Sequence, residues 1–275
     1  MLIPRAGFAE RTVANDLHDC KAGGFIGPNV KVLQQRHFRP FLEGRNRFFI
    51  FGGFQSQTIV VDYEVLDEIC QEITKVHENG VEIVIVVGAG NIWRGAENAD
   101  SGIDRVPSDY IGMLGTVMNA VALQANLEKK HNIPTRVCSS LDIPAIVEPY
   151  VNRRVLRHLE KNRIVICAAG TGNPFFTTDS AAALRSLELS CDILLKATNV
   201  NGVYDSDPAT NPNAKRYTEV SFDEVLEKNL RVMDATAIAQ CRDNKMPILV
   251  FKLKESGALE KAVNGDDTVG TKIVL

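Results

Sequence analysis

Val81-Glu82-Ile83-Val84-Ile85-Val86-Val87-Gly88-Ala89-Gly90-Asn91-Ile92-Trp93-Arg94-Gly95 is the stretch that decides the fold. A β-branched run of strand length, apolar enough to be buried on both faces, leads straight into a glycine-rich turn. Burial on both faces marks a strand inside a parallel sheet. Upstream, Val65, Leu66, Ile69, Cys70, Ile73 and Val76 recur at helical spacing, and Asn79-Gly80 closes that helix. Downstream the pattern repeats. Asp109 to Lys130 reads as a helix, Thr135 to Ser139 as a strand, Val151 to Lys161 as a helix and Arg163 to Ala168 as a buried strand. Asp179 to Ser190 is a helix and Asp192 to Ala197 a strand. Ser221 with Glu224 forms a capping box, a helix lies near Asp234 to Arg242, and Pro247 to Phe251 is a strand. Strands alternating with helices predict an α/β fold, a mainly parallel sheet with helices on both faces. Such sheets bind ligands beyond the carboxyl ends of their strands.

Composition narrows the class. The 275 residues are 45% apolar and 24% charged, which excludes a disordered tail, a fibrous repeat and a small disulfide scaffold. The longest apolar run, Ile164 to Ala169, is too short to span a bilayer, so no membrane partner is expected. A net charge of −3 supplies no global basic field for nucleic acid. The charge is uneven: residues 1–58 carry a net of +4 and the remainder −7. Six cysteines contain no CxxC pair and lie mostly in apolar runs, which reads as buried free thiols in a reducing compartment. Five histidines show no ligand spacing, so no protein metal site is expected. Met1 to Glu10 is not followed by the apolar core of a secretory signal.

Three motifs follow strands. In Gly88-Ala89-Gly90-Asn91-Ile92-Trp93-Arg94-Gly95, backbone N–H groups could approach an anion closely and Arg94 could bind phosphate with two bonds. An ordinary strand-to-helix turn explains the same residues; the segment is neither the GxGxxG fingerprint nor a Walker A loop. The second motif is Thr171-Gly172-Asn173-Pro174-Phe175-Phe176-Thr177-Thr178-Asp179, rich in short polar side chains, with two phenylalanines offering a stacking surface. Its simplest alternative is a helix cap at Thr178 or Asp179. The third is Lys196-Ala197-Thr198-Asn199-Val200-Asn201-Gly202-Val203-Tyr204 with Asp207-Pro208 beyond it. A lysine ending an apolar strand costs free energy unless paired. Tyr204 suits either a nucleobase or the core, and Asp207-Pro208 also starts a turn.

These motifs, with Asp109-Tyr-Ile-Gly-Met-Leu-Gly-Thr-Val-Met-Asn119 and Val232-Met-Asp234, occur in the order found in bacterial uridylate kinases of the amino-acid-kinase superfamily, which Val60 to Leu275 resembles. The resemblance implies a three-layer αβα sandwich and ATP-dependent phosphorylation of UMP to UDP with Mg²⁺, in the cytoplasm, in pyrimidine nucleotide biosynthesis. It implies a homohexamer; the Asp109 to Lys130 helix is our own expectation for a contact in such an assembly. Carried over by position, Ala89, Asp109 and Thr171, Gly172, Asn173, Pro174, Phe175, Phe176, Thr177 and Thr178 would bind UMP. Gly52, Gly53, Gly90, Arg94, Thr198, Tyr204 and Asp207 would bind ATP. Lys196, Asp179 and Asp234 would form the reaction centre.

Two departures from the family stand out. Glycine is usual where Ala89 stands, and a methyl there is tolerable only at negative φ. The family's first strand ends in Lys-Leu-Ser-Gly-Glu, whose lysine holds ATP phosphates; aligned here are Ile50, Gly52 at the serine and Gly53 at the glycine. Residues 1–58 are thus read as an atypical leader replacing the first strand and phosphate loop. Residues 59–275 are the kinase-like domain, with a UMP-binding amino-terminal part and an ATP-binding carboxyl-terminal part. Three readings of the leader remain open: a replaced chain start, a divergent site in which Arg45, Arg47 or Lys196 supplies the charge, or a uridine-nucleotide binder with impaired catalysis.

Overall fold

The computed structural model describes residues 46–52, 61–93, 102–230 and 232–275. In chain order these form β1 (Arg47–Gly52), α1 (Tyr63–Glu78), β2 (Glu82–Val87), α2 (Arg105–His131), β3 (Thr135–Ser139), β4 (Glu148–Pro149), α3 (Asn152–Glu160) and β5 (Ile164–Ala168). They continue with α4 (Thr178–Glu188), β6 (Ile193–Thr198), β7 (Glu219–Ser221), α5 (Phe222–Glu227), α6 (Ala235–Asp243), β8 (Ile248–Lys252), α7 (Ala258–Val263) and β9 (Gly270–Val274). The strands join in one sheet of order β4-β3-β5-β2-β1-β6-β8-β9-β7. Its pairings are parallel except β8 with β9, so the α/β expectation holds.

β1 is the middle of this sheet, parallel to β2 on one side and β6 on the other. Its side chains alternate: Phe48 and Ile50 join the core under α1, α2 and α7, while Phe49 and Phe51 join the core under α3, α4, α5 and α6. The result is a three-layer αβα sandwich. Arg47 anchors the amino end of β1, its Nε donating to Glu82 Oε2 at 2.8 Å and its guanidinium also donating to the Leu189 carbonyl.

Register fixes what lies at the other end. Phe51 pairs with Val86 on β2 and with Lys196 on β6, and Val86 pairs in turn with Cys167 on β5. The strands therefore finish level, and Gly88, Ala169 and Asn199 all leave the same edge of the sheet. At ~4.8 Å per strand, Lys196 sits about 10 Å from Val86 along that row.

Element boundaries follow local chemistry. Asp62 caps α1 by accepting from the Glu64 and Val65 N–H groups at 3.1 and 3.3 Å. α2 starts a turn before Asp109, because Pro107 falls in the first turn, where its missing N–H breaks no helical bond. Only half of the expected capping box forms: Ser221 Oγ accepts from Glu224 N at 3.1 Å, but the Glu224 carboxylate binds Lys228 instead.

All five cysteines of the described residues are buried free thiols. Burial pushes Cys70, Cys138, Cys191 and Cys241 up to about 12, and Cys167 upward also. Thiolates are the reactive form. In a Cys20→Ser variant at pH 8, a thiol reagent is therefore expected to label none of the five within minutes and all five after denaturation. A folded thiol pKa above its unfolded value stabilises fully below the unfolded value and loses that contribution as pH rises. The melting temperature should accordingly fall between pH 9 and 11, and a flat profile over that range would contradict the burial.

Candidate active site

Lys196 emerges where β6 ends. Its Nζ lies 2.6 Å from Asp179 Oδ1 and 4.1 Å from the centroid of the Phe51 ring. Carboxylate and ring face together offset the cost of holding a half-buried ammonium. Asp179 is available because α4 begins there. The cap is Thr177, rather than Thr178 or Asp179: Thr177 Oγ1 accepts from Ser180 N at 3.2 Å. The Thr177 hydroxyl also donates to Asp234 Oδ2. Asp234 is itself the N-cap of α6, accepting from Ala237 N at 2.9 Å and from Ser180 Oγ at 3.0 Å. Asp234 thus ties the starts of α4 and α6 together, next to the Lys196–Asp179 pair.

The glycine-rich motif is a tight turn through Trp93, in which Ile92 N and Trp93 N both donate to Ala89 O at 2.8 Å. Ala89 is absent from the residues with positive φ, which meets the condition its methyl imposes. The Ala169–Phe176 loop is more contorted. Ala169, Gly170, Gly172 and Phe175 have φ values of 61°, 56°, 80° and 72°. A Cβ on Gly172 would come within 3.0 Å of the Ser140 carbonyl oxygen, so glycine is required there on both counts. Thr171 Oγ1 accepts from Asn173 N at 3.2 Å. Phe175 N donates to Asp109 Oδ2 at 2.7 Å, which brings α2 onto this loop. Asp109 also accepts from Arg105 Nε at 2.8 Å. Phe175 and Phe176 are 68% and 52% exposed.

Beyond Lys196, Thr198 closes its own turn, accepting from Val200 N at 3.0 Å and donating to Val200 O at 2.7 Å. Tyr204 donates to Asn201 Oδ1 at 2.5 Å, and Asp207 accepts from Ala209 N at 2.9 Å, so both order their loop. A cavity of about 600 Å³ opens at this edge, lined among others by Ile50, Lys196, Thr198, Asn199 and Leu253. Ile50 forms part of its apolar floor. Arg47 cannot supply the missing cation, because it lies at the opposite end of β1, five residues or ~17 Å away from Gly52. Gly52 ends β1 opposite Val87. Gly53, Arg94 and Arg45 lie outside the described residues.

Sequence reasoning overlooked the side chains that hold these loops from behind. Ser140 Oγ donates to Gly170 O at 2.8 Å and accepts from Arg185 at 2.9 Å, and the Arg185 guanidinium stacks on Tyr150 at 3.8 Å. On α2, Thr116 and Asn119 are buried and bonded to the loops. Their signal was present: two polar residues in phase with Met113, Val117, Ala120 and Leu123, on the face that packs into the core.

Comparison with known proteins agrees with this geometry. Residues 53–252 match the model of the amino acid kinase family. A uridylate kinase of Rickettsia bellii is 54% identical over 202 residues, covering 74% of this chain and 84% of that protein. The crystal structure of a UMP kinase from Bacillus anthracis superposes with a TM-score of 0.80 at 36% identity, covering 83% of this chain and 96% of that one. One from Ureaplasma parvum gives 0.79 at 34% identity, covering 84% and 100%. With the family model matching well over half its length, the chain belongs to the amino acid kinase family, alongside these uridylate kinases.

Proposed function

We propose that the protein is a UMP kinase, which transfers the γ-phosphoryl group of ATP to a phosphate oxygen of UMP, giving UDP and ADP. The observation that carries this reading is the Lys196–Asp179 pair at the edge where both glycine-containing loops leave the sheet. Phosphoryl transfer asks for in-line positioning and charge neutralisation rather than covalent help. The new bond forms from the UMP oxygen to γ-phosphorus as the bond to the β,γ-bridging oxygen breaks. Lys196 neutralises charge gathering on the transferred group, and Asp179 keeps its ammonium in place. Asp234 holds the α4 start that carries Asp179.

In this reading Ala89, Asp109 and residues 171–178 take UMP, with Phe175 or Phe176 against the base. Gly52, Gly53, Gly90, Arg94, Thr198, Tyr204 and Asp207 take ATP, in the cavity beside Lys196. Mg²⁺ enters as MgATP and adds neutralising charge to the phosphates. The residues suit that mode of entry: Asp234 is committed to three donors and Asp179 to Lys196, so no dedicated protein cage is needed. The division into UMP-binding and ATP-binding parts belongs to the same proposal, with Arg47–Gly52 counted in the domain rather than in a leader to residue 58, because β1 is the middle strand of its sheet. So do a cytoplasmic place in pyrimidine nucleotide supply and assembly as a homohexamer. Support for assembly comes from α2, where Val106, Tyr110, Ile111, Leu114 and Met118 form an exposed apolar stripe.

A coupled assay of purified protein should release ADP only when UMP is present; absence of UMP-dependent release would sink the assignment. Lys196→Ala should lower kcat by roughly 10³ or more, by analogy with other phosphoryl-stabilising cations. Ile50→Lys places an ammonium on the cavity floor, within the set of residues that includes Lys196 and Glu72. It should raise kcat at least tenfold, on the same order-of-magnitude reasoning; an unchanged rate would mean that the charge is already supplied. For assembly, Leu114→Glu with Met118→Glu should shift the sedimenting species to smaller size while leaving the circular dichroism spectrum intact.

A further inference from the structure

One turn of α2 grips both loops of the proposed site. Thr116 is 5% exposed and its hydroxyl does two jobs, donating to Met113 O at 2.7 Å and accepting from Ala169 N at 2.7 Å. Ala169 is the first residue after β5 and is held at φ 61°, a conformation an alanine leaves unless something fixes it. Three residues along the helix, Asn119 is 1% exposed. Its Nδ2 donates to Gly88 O and to Asn91 Oδ1, each at 2.8 Å, and its Oδ1 accepts from Asn91 Nδ2 at 3.2 Å. Gly115 comes just before Thr116 and one turn before Asn119, and a Cβ there would meet the Ala89 methyl at 2.9 Å. The helix can reach the Gly88–Trp93 loop only because that position lacks a side chain.

A helix turn is stiff, so two grips three residues apart set a spacing. The loops leave β2 and β5, which pair in the sheet and so space Gly88 and Ala169 at the strand ends; the course of each loop beyond that point depends on contacts from outside the sheet, those from α2 among them. We propose that Thr116 and Asn119 are positioning residues, a paired clamp on α2 that holds the two strand-end loops at the separation phosphoryl transfer requires. This rests on the UMP kinase reading and deepens it: neither residue need touch a nucleotide. Displacement of a loop by about 1 Å is enough to cost roughly 10² in rate.

The test uses the full chain with Thr116→Val, which keeps shape and removes the hydroxyl, and Thr116→Ser, which restores it. Val117→Ala serves as a control, since Val117 is buried beside the clamp and contacts the hydrophobic core. Thr116→Val should lower kcat by roughly 10- to 100-fold, in line with the cost of misplacement, with a smaller change in KM for UMP. Thr116→Ser should recover most of the rate. Val117→Ala should lower the melting temperature and keep kcat. Equal kcat in Thr116→Val and wild type, or equal loss in the Val117→Ala control, would overturn the clamp. Amide hydrogen exchange without nucleotide gives an independent readout. Exchange across Ala169 to Gly172 should quicken at least tenfold in Thr116→Val and stay slow in Thr116→Ser. If the wild type shows no UMP-dependent turnover, the functional reading fails, and exchange alone then decides the clamp: unchanged protection at Ala169 refutes it.

Discussion

Everything at the candidate site depends on the parallel register of three strands. β1 lies between β2 and β6 and sets them level, so that Val86, Phe51 and Lys196 share one row. A slip of one residue on β6 would turn Lys196 to the opposite face of the sheet, away from Asp179 and the Phe51 ring. That register is secured by burial on both sides: Phe48 and Ile50 on one face, Phe49 and Phe51 on the other, each at most 4% exposed. At the amino end Arg47 clips β1 to Glu82 and Leu189. The charge at one end of the strand is structural, which leaves the charge at the other end to Lys196.

How much of this was legible in the sequence depends on the kind of signal. Buried parallel strands announce themselves as β-branched runs, and Thr135–Ser139 is found with the expected bounds. The segment Arg47–Gly52 carries the same apolar density, but comparison with the family drew attention to its missing lysine rather than to its four buried residues. Caps were partly legible. Ser221 behaves as expected because its hydroxyl needs only a local N–H, whereas Glu224 had a competing partner in Lys228 that sequence spacing cannot rank. At α4 the expected cap was Thr178 or Asp179, and the actual one, Thr177, is the same residue type as Thr178, one position earlier. Asp234, remote in sequence, binds the Thr177 hydroxyl, and that tertiary bond accompanies the choice.

The site residues divide along the same line. Loop residues were recognisable by their unusual composition: glycines, threonines and paired phenylalanines between regular elements. Residues that hold the loops from behind carry a fainter mark, at most the helical phase that Thr116 and Asn119 share with apolar neighbours. Thr116, Asn119, Ser140 and Arg185 lie on helices or at strand ends where a single polar residue looks incidental. Each is informative only once burial is known, since a buried polar group must find a partner. Their partners at the loops lie tens of residues away, loop backbone atoms for Thr116, Asn119 and Ser140, the Asn91 side chain for Asn119 and the Ser140 hydroxyl for Arg185, and pattern reading cannot pair them.

Ala89 shows how a departure from the family can be absorbed. A methyl in a turn that brings backbone N–H groups toward an anion has two costs: a restricted φ, and volume. The first does not arise, because the residue stays out of the positive-φ region. The second is met on the facing helix. Ala89 is 7% exposed, and its Cβ occupies the space that a side chain on Gly115 would need. Loop and helix share one methyl-sized volume, and only one of the two positions can fill it. Glycine at 115 therefore permits alanine at 89, and larger residues at both positions would push α2 away from the loop. Because Thr116 follows directly on the same helix, that outward shift would also stretch its bond to Ala169, and a substitution at one loop would be felt at the other.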